Sequence, residues 1–108
     1  MSRLAACLLL LSASFGAFAA GEPEFSLAIE GHKFVPDRIE VPAGKKVKLI
    51  VENKDATPEE FESATLKIEK VIPGKSRATI FVGPLKAGEY PFVGEFNEKT
   101  AKGMVVAK

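Results

Sequence analysis

The chain of 108 residues contains one cysteine, Cys7, one histidine, His32, one tyrosine and no tryptophan. With so few sulfur and imidazole groups it cannot be a disulfide-stapled scaffold, a cysteine-cage zinc protein or a histidine-rich metal carrier. No apolar run reaches the roughly 18 residues that a membrane-spanning helix requires. Charge of one sign is also missing: 15 Lys/Arg face 14 Asp/Glu. That balance excludes a general binder of nucleic acid or anionic membranes, which would carry a basic excess. No phosphate-cradling glycine loop is present, and a single histidine leaves hydrolytic triads little to work with, so an enzyme of those classes is not expected.

What is present begins with a leader. Residues 1–19 read MSRLAACLLLLSASFGAFA, one basic residue, an apolar run from Leu4 to Leu11, and small residues ending Ala17-Phe18-Ala19. This is the pattern of a signal peptide cleaved before Ala20, so the expectation is a periplasmic protein with residues 20–108 as its one domain and no membrane anchor. Leu4-Ala5-Ala6-Cys7 has the look of a lipoprotein cleavage box, but the apolar core follows Cys7 instead of preceding it. Cleavage would remove Cys7 and Arg3, leaving a thiol-free chain of balanced charge.

From residue 25 onward the periodicity is two. Phe25, Leu27 and Ile29 alternate with polar neighbours, as do Ile39 and Val41, then Val47, Leu49 and Val51, then Ala78, Ile80 and Val82, then Tyr90 and Phe92. Alternation of this kind marks half-buried antiparallel strands. Turn residues separate the runs at Pro36, Pro42-Ala43-Gly44, Pro73-Gly74, Gly83-Pro84 and Ala87-Gly88. The expected fold is all-β, a Greek-key β-sandwich with at most one short helix. Thr57-Pro58-Glu59-Glu60 has the capping residue, the first-turn proline and the glutamates that would start that helix. Leu85 to Tyr90 resembles a tyrosine corner. Pro91 lacks an N–H and places its strand at an edge or a bulge.

Two segments carry a resemblance. FVPDRIEVPAGKKVKLIVEN over residues 34–53 and LKAGEYPFVGEFNEKTAKGMVV over residues 85–106 resemble the opening and closing hairpins of plastocyanin-like cupredoxins. DATPEEFES, EKVIPG, GPLKAGEY and GEFNEKTAKG more closely resemble the cupredoxin-like proteins of bacterial periplasmic iron and copper uptake. The resemblance implies a metal end built from loops 55–63 and 94–103, with Gly94 where a blue copper protein carries its cysteine. It implies a copper or iron ion held by Glu60 and Glu95 with His32, and with Asn97 or water completing the set. Such an oxygen-rich set suits Cu(II) or iron better than Cu(I). A membrane permease or another periplasmic protein is the implied partner, and ferrous-iron oxidation would need one. Alternatives stay open at each residue. Glu60 could close a capping box with Thr57, and His32 could be a surface or packing residue. Glu59, Glu62 and Glu98 are expected to be solvated, and Met104 to fill a strand. A second reading of the whole chain is a cupredoxin-shaped docking module that binds no metal.

Overall fold

The computed structural model describes residues 21–108, so the leader, Cys7 and the cleavage position lie outside the described residues. Nine strands follow one another: β1 (Glu24–Ile29), β2 (Phe34–Val35), β3 (Arg38–Val41), β4 (Val47–Asn53), β5 (Glu59–Ser63), β6 (Ile68–Ile72), β7 (Ser76–Val82), β8 (Gly88–Gly94) and β9 (Lys102–Ala107). Four build one sheet in the order β2-β1-β4-β7, and five build the other in the order β3-β9-β8-β5-β6. Two pairings are parallel, β1 with β4 and β3 with β9; the others are antiparallel. This is the expected two-sheet sandwich.

The alternating apolar residues account for its core. Leu27, Ile29, Ile39, Val41, Val47, Leu49, Val51, Ile80, Val82 and Phe92 are all buried between the sheets. Near the end where Phe61 pairs with Gly94, three phenylalanines close the sandwich. Phe61 stacks on Phe92 with ring centroids 4.7 Å apart, and Phe34 meets Phe92 edge-on at 4.8 Å. Each such buried ring stabilises the fold by about 1.5–3 kcal/mol through area alone. Gly103 permits the cluster, because a β-carbon there would run into the Phe92 ring. The tyrosine corner is present: the Tyr90 hydroxyl donates to the Lys86 carbonyl over 2.7 Å.

Two local expectations are overturned. Thr57–Glu60 does not start a helix; Glu59 opens strand β5, and the helical turn that the described residues do contain is a 3-10 turn at Glu95–Asn97. Five cross-strand pairs with β6 and the inward positions of Glu59, Phe61 and Ser63 outweigh the local capping signal. Glu60 therefore closes no capping box. Pro91 is on neither an edge strand nor a bulge: β8 lies between β9 and β5, and Pro91 pairs one-to-one with Met104. The ladder to β5 spans only Phe61↔Gly94 and Glu62↔Val93, so it stops short of Pro91 and asks no N–H of it. The Pro91 carbonyl instead accepts the Ser63 hydroxyl at 2.7 Å.

Candidate functional site

Three loops meet at one end of the sandwich: the turn 30–33, the loop 54–58 and the segment 94–101. Asn53, fully buried at the end of β4, organises the second of these. Its Nδ2 donates to the carbonyls of Thr57 (2.9 Å) and Ile72 (3.0 Å), and its Oδ1 accepts the Asp55 N–H (3.0 Å). Asp55 is thereby aimed at the first turn, where its carboxylate accepts the N–H groups of Gly31 (2.8 Å) and His32 (2.9 Å). The His32 N–H, opposed by partial desolvation and aided by the Gly31 N–H and the nearby His32 and Lys75 side chains, holds the Asp55 carboxyl below its ordinary value. His32 sits at φ +59° with Nδ1 3.5 Å from Asp55 Oδ2. The Thr100 hydroxyl donates to the His32 carbonyl over 2.6 Å and ties the first turn to the third loop.

The centre of this end is Glu59. Its side chain points between the sheets and is 1 % exposed. Oε1 accepts the N–H of Phe96 (2.8 Å) and of Glu60 (3.0 Å), and Oε2 accepts Asn97 Nδ2 (2.8 Å). Three donors converge on one buried carboxylate, which offsets the cost of taking it out of water. The neighbouring Gly94 leaves it room. A β-carbon on Gly94 would stand 2.6 Å from Glu59 Cδ and Oε2 and 2.7 Å from the Ala101 methyl. A cysteine at position 94 would thus collide with the carboxylate already there.

Glu59 corrects the expectation that it is solvated. The signal was readable: once Phe61 faces the core as a strand residue, Glu59, two positions earlier, faces it too. Of the four expected ligands, Asn97 binds Glu59 through its amide nitrogen, and Glu95 opens the exposed 3-10 turn. Glu60 lies on the outer face of β5, opposite Val71. Its carboxyl is pushed above its ordinary value, first by desolvation and then by the charges of Glu69, Glu95 and Glu59. His32 and Asn97 line one shallow depression together with Phe96, Glu98, Lys99 and Thr100. Among the described residues, no three His, Cys, Asp or Glu side chains are gathered so that they could hold one metal ion.

The sequence pattern of the cupredoxin-like domain matches residues 3–107. The chain belongs to the cupredoxin-like domain family. An uncharacterized protein of Rickettsia prowazekii is 42% identical over 83 residues, covering 77% of this chain and 66% of its own length. Among solved structures, auracyanin A, a blue copper protein of Chloroflexus aurantiacus, superposes with a TM-score of 0.69 at 14% identity, covering 82% of this chain and 100% of its own. The metal-binding domain of the Cu(I)-exporting P-type ATPase CopA of Streptococcus pneumoniae gives 0.67 at 16% identity, covering 79% of this chain and 84% of its own. At these identities the likeness is one of fold. The donors at this cupredoxin's loop end are the Glu59 carboxylate, the Asn97 amide and an imidazole engaged with Asp55. They do not match the thiolate and two imidazoles that a type-1 copper ion takes.

Proposed function

We propose that this cupredoxin is a periplasmic accessory domain of an iron or copper uptake system, working without a blue copper site and by docking its loop end against a transporter or a second periplasmic subunit. One observation carries the reading: the Glu59 carboxylate, with three N–H donors on it, fills the space beside Gly94. That arrangement ties Phe96 and Asn97 to strand β5 through the protein's own hydrogen bonds. It also leaves Phe96, 51% exposed, projecting beside the depression that His32 and Thr100 line. An exposed aromatic on a rigid turn is the kind of group that anchors protein contacts. The likeness in fold to the metal-binding domain of a Cu(I)-exporting P-type ATPase supports a setting beside a metal transporter.

A second reading is favoured by Glu60. Its raised carboxyl, beside Glu69, Glu95 and Glu59, would be relieved by a cation, and Glu60 with Glu95, Asn97 and water would hold Cu(II) or iron as cargo. Calorimetric titration with Cu(II) and with Fe(II) separates the two. The docking reading expects no binding tighter than about 1 mM. A dissociation constant near 1 μM that Glu60→Gln weakens at least tenfold, about 1.4 kcal/mol, overturns it in favour of ion carriage. A photo-crosslinking residue in place of Phe96 should join the protein to a permease in intact cells.

A further inference from the structure

Four strands end the two sheets, and three of them are protected. β2 has two residues and runs into Pro36; β3 has four and runs into Pro42; β6 carries Glu69 and Lys70 and is followed by Pro73. Short length, charge and proline are the usual means of keeping an edge from pairing. β7 has seven residues, its one charge is Arg77, and Lys75 and Pro84 stand outside the strand, leaving all seven positions free of proline. All seven of its residues, SRATIFV, pair one-to-one with β4, from Ser76↔Asn53 to Val82↔Val47, without a bulge. Among the described residues its backbone bonds to no other strand. Its outer face shows Arg77, Thr79 and Phe81, and Phe81 is half exposed, its ring fixed by Lys46 Nζ at 4.8 Å and Lys48 Nζ at 5.9 Å.

From this edge we infer that two copies of the chain associate by antiparallel pairing of β7 about a two-fold axis through Thr79. Thr79 is the middle residue of the strand, so centring there overlaps all seven positions. The register sets Arg77 of each copy opposite Phe81 of the other, with Thr79 facing Thr79 on the axis. Aromatic–cation and Thr–Thr neighbours are favourable across strands. Moving the axis to Ala78 would set Phe81 against Lys75, and moving it to Ile80 would leave Arg77 against Gly83. The contact is isologous, so it closes at two copies and does not propagate. Lys46 and Lys48 near each Phe81 oppose the incoming Arg77, so added salt strengthens the pair. This inference stands on β7 and is independent of the loop end.

Sedimentation of the exported protein from about 10 μM to 1 mM should show a monomer–dimer equilibrium. In a Cys7→Ser background, Thr79→Cys should give a disulfide-linked dimer under mild oxidation, and Lys70→Cys on the β6 edge should not. Phe81→Lys sets a cation opposite Arg77 and should raise the dissociation constant at least tenfold. Phe81→Glu sets a carboxylate there and should leave it equal or tighter, which simple loss of an apolar contact would not. A monomer at every concentration overturns the inference, as does equal weakening by both Phe81 variants or cross-linking through Lys70→Cys in preference to Thr79→Cys. Should Phe81→Lys fail to fold, the Thr79→Cys cross-link decides alone.

Discussion

Replacing Gly94 with alanine adds one methyl group to the fullest point of the loop end, and its cost can be worked out contact by contact. The backbone is extended there, φ −92° and ψ 106°, so alanine meets no conformational penalty. Its β-carbon would lie 2.6 Å from the Glu59 carboxyl group, where ordinary contact is about 3.5–4.0 Å, so the carboxylate must retreat by about 1 Å. That retreat breaks the Asn97 hydrogen bond and the Phe96 hydrogen bond. Bonds to a charged group are worth about 1.5–3 kcal/mol each. The overlap with the Ala101 methyl adds about 1–3 kcal/mol of overpacking. Gly94→Ala should therefore destabilise by about 4 kcal/mol or more, a large part of an ordinary domain's 5–15 kcal/mol. Glu59→Ala loses the same hydrogen bonds. In the double variant the carboxylate is already gone, and the added methyl costs only its overlap with Ala101. Guanidinium unfolding of the four proteins should give a coupling of at least about 2 kcal/mol. If the two substitutions add within about 0.5 kcal/mol, the carboxylate does not occupy the space beside Gly94 and the reasoning fails.

Gly103→Ala should cost more than about 3 kcal/mol in the same assay, because the new methyl is driven into Phe92 at the heart of the aromatic cluster. Asp55 has a folded-state pKa below its ordinary 3.8, so its contribution is full above that value and is lost as pH falls through the folded value. Asp55→Asn should thus destabilise at neutral pH and flatten the acid limb of the melting-temperature profile below about pH 4. Glu60 shifts the other way: its folded pKa lies above 4.5, so its ionised form is a penalty that appears as pH rises through the folded value. Glu60→Gln should raise the melting temperature of the ion-free protein slightly near pH 7, with the gain vanishing at pH 3.

The sandwich was legible because alternation reports which face of a strand is buried, and Leu49, Ile80 and Phe92 needed nothing more. The loop end was legible only in outline. Asn53, His32 and Asn97 all lie there, but which of two adjacent glutamates turns inward follows only once residues 59–63 are known to be a strand and not a helix start. Thr57-Pro58-Glu59-Glu60 scores well as a helix start because capping is local, while the pairing of Glu59 with Ile72 that decides the matter comes from thirteen residues away. Gly94 stands out in the sequence as a missing side chain, and the reason for its absence is a carboxylate from the neighbouring strand. Pro91 misled in a similar way: its missing N–H excludes a continuous ladder, and a ladder two pairs long satisfies that rule from the middle of a sheet.

The parallel pairing of β3 with β9 has a consequence for the order in which the chain can acquire its shape. Ile39 finds its partner in Val105, and Val41 finds Ala107, at opposite ends of the domain's sequence. A chain that emerges N-terminus first can assemble β1, β2, β4 and β7 while β3 still hangs free. β8 also waits, since it joins β5 through only two pairs and needs β9 along its other side. The five-stranded sheet is therefore completed only when β9 arrives. Such long-range closure slows folding, and loss of β9 would leave β3 and β8 without the neighbour they share.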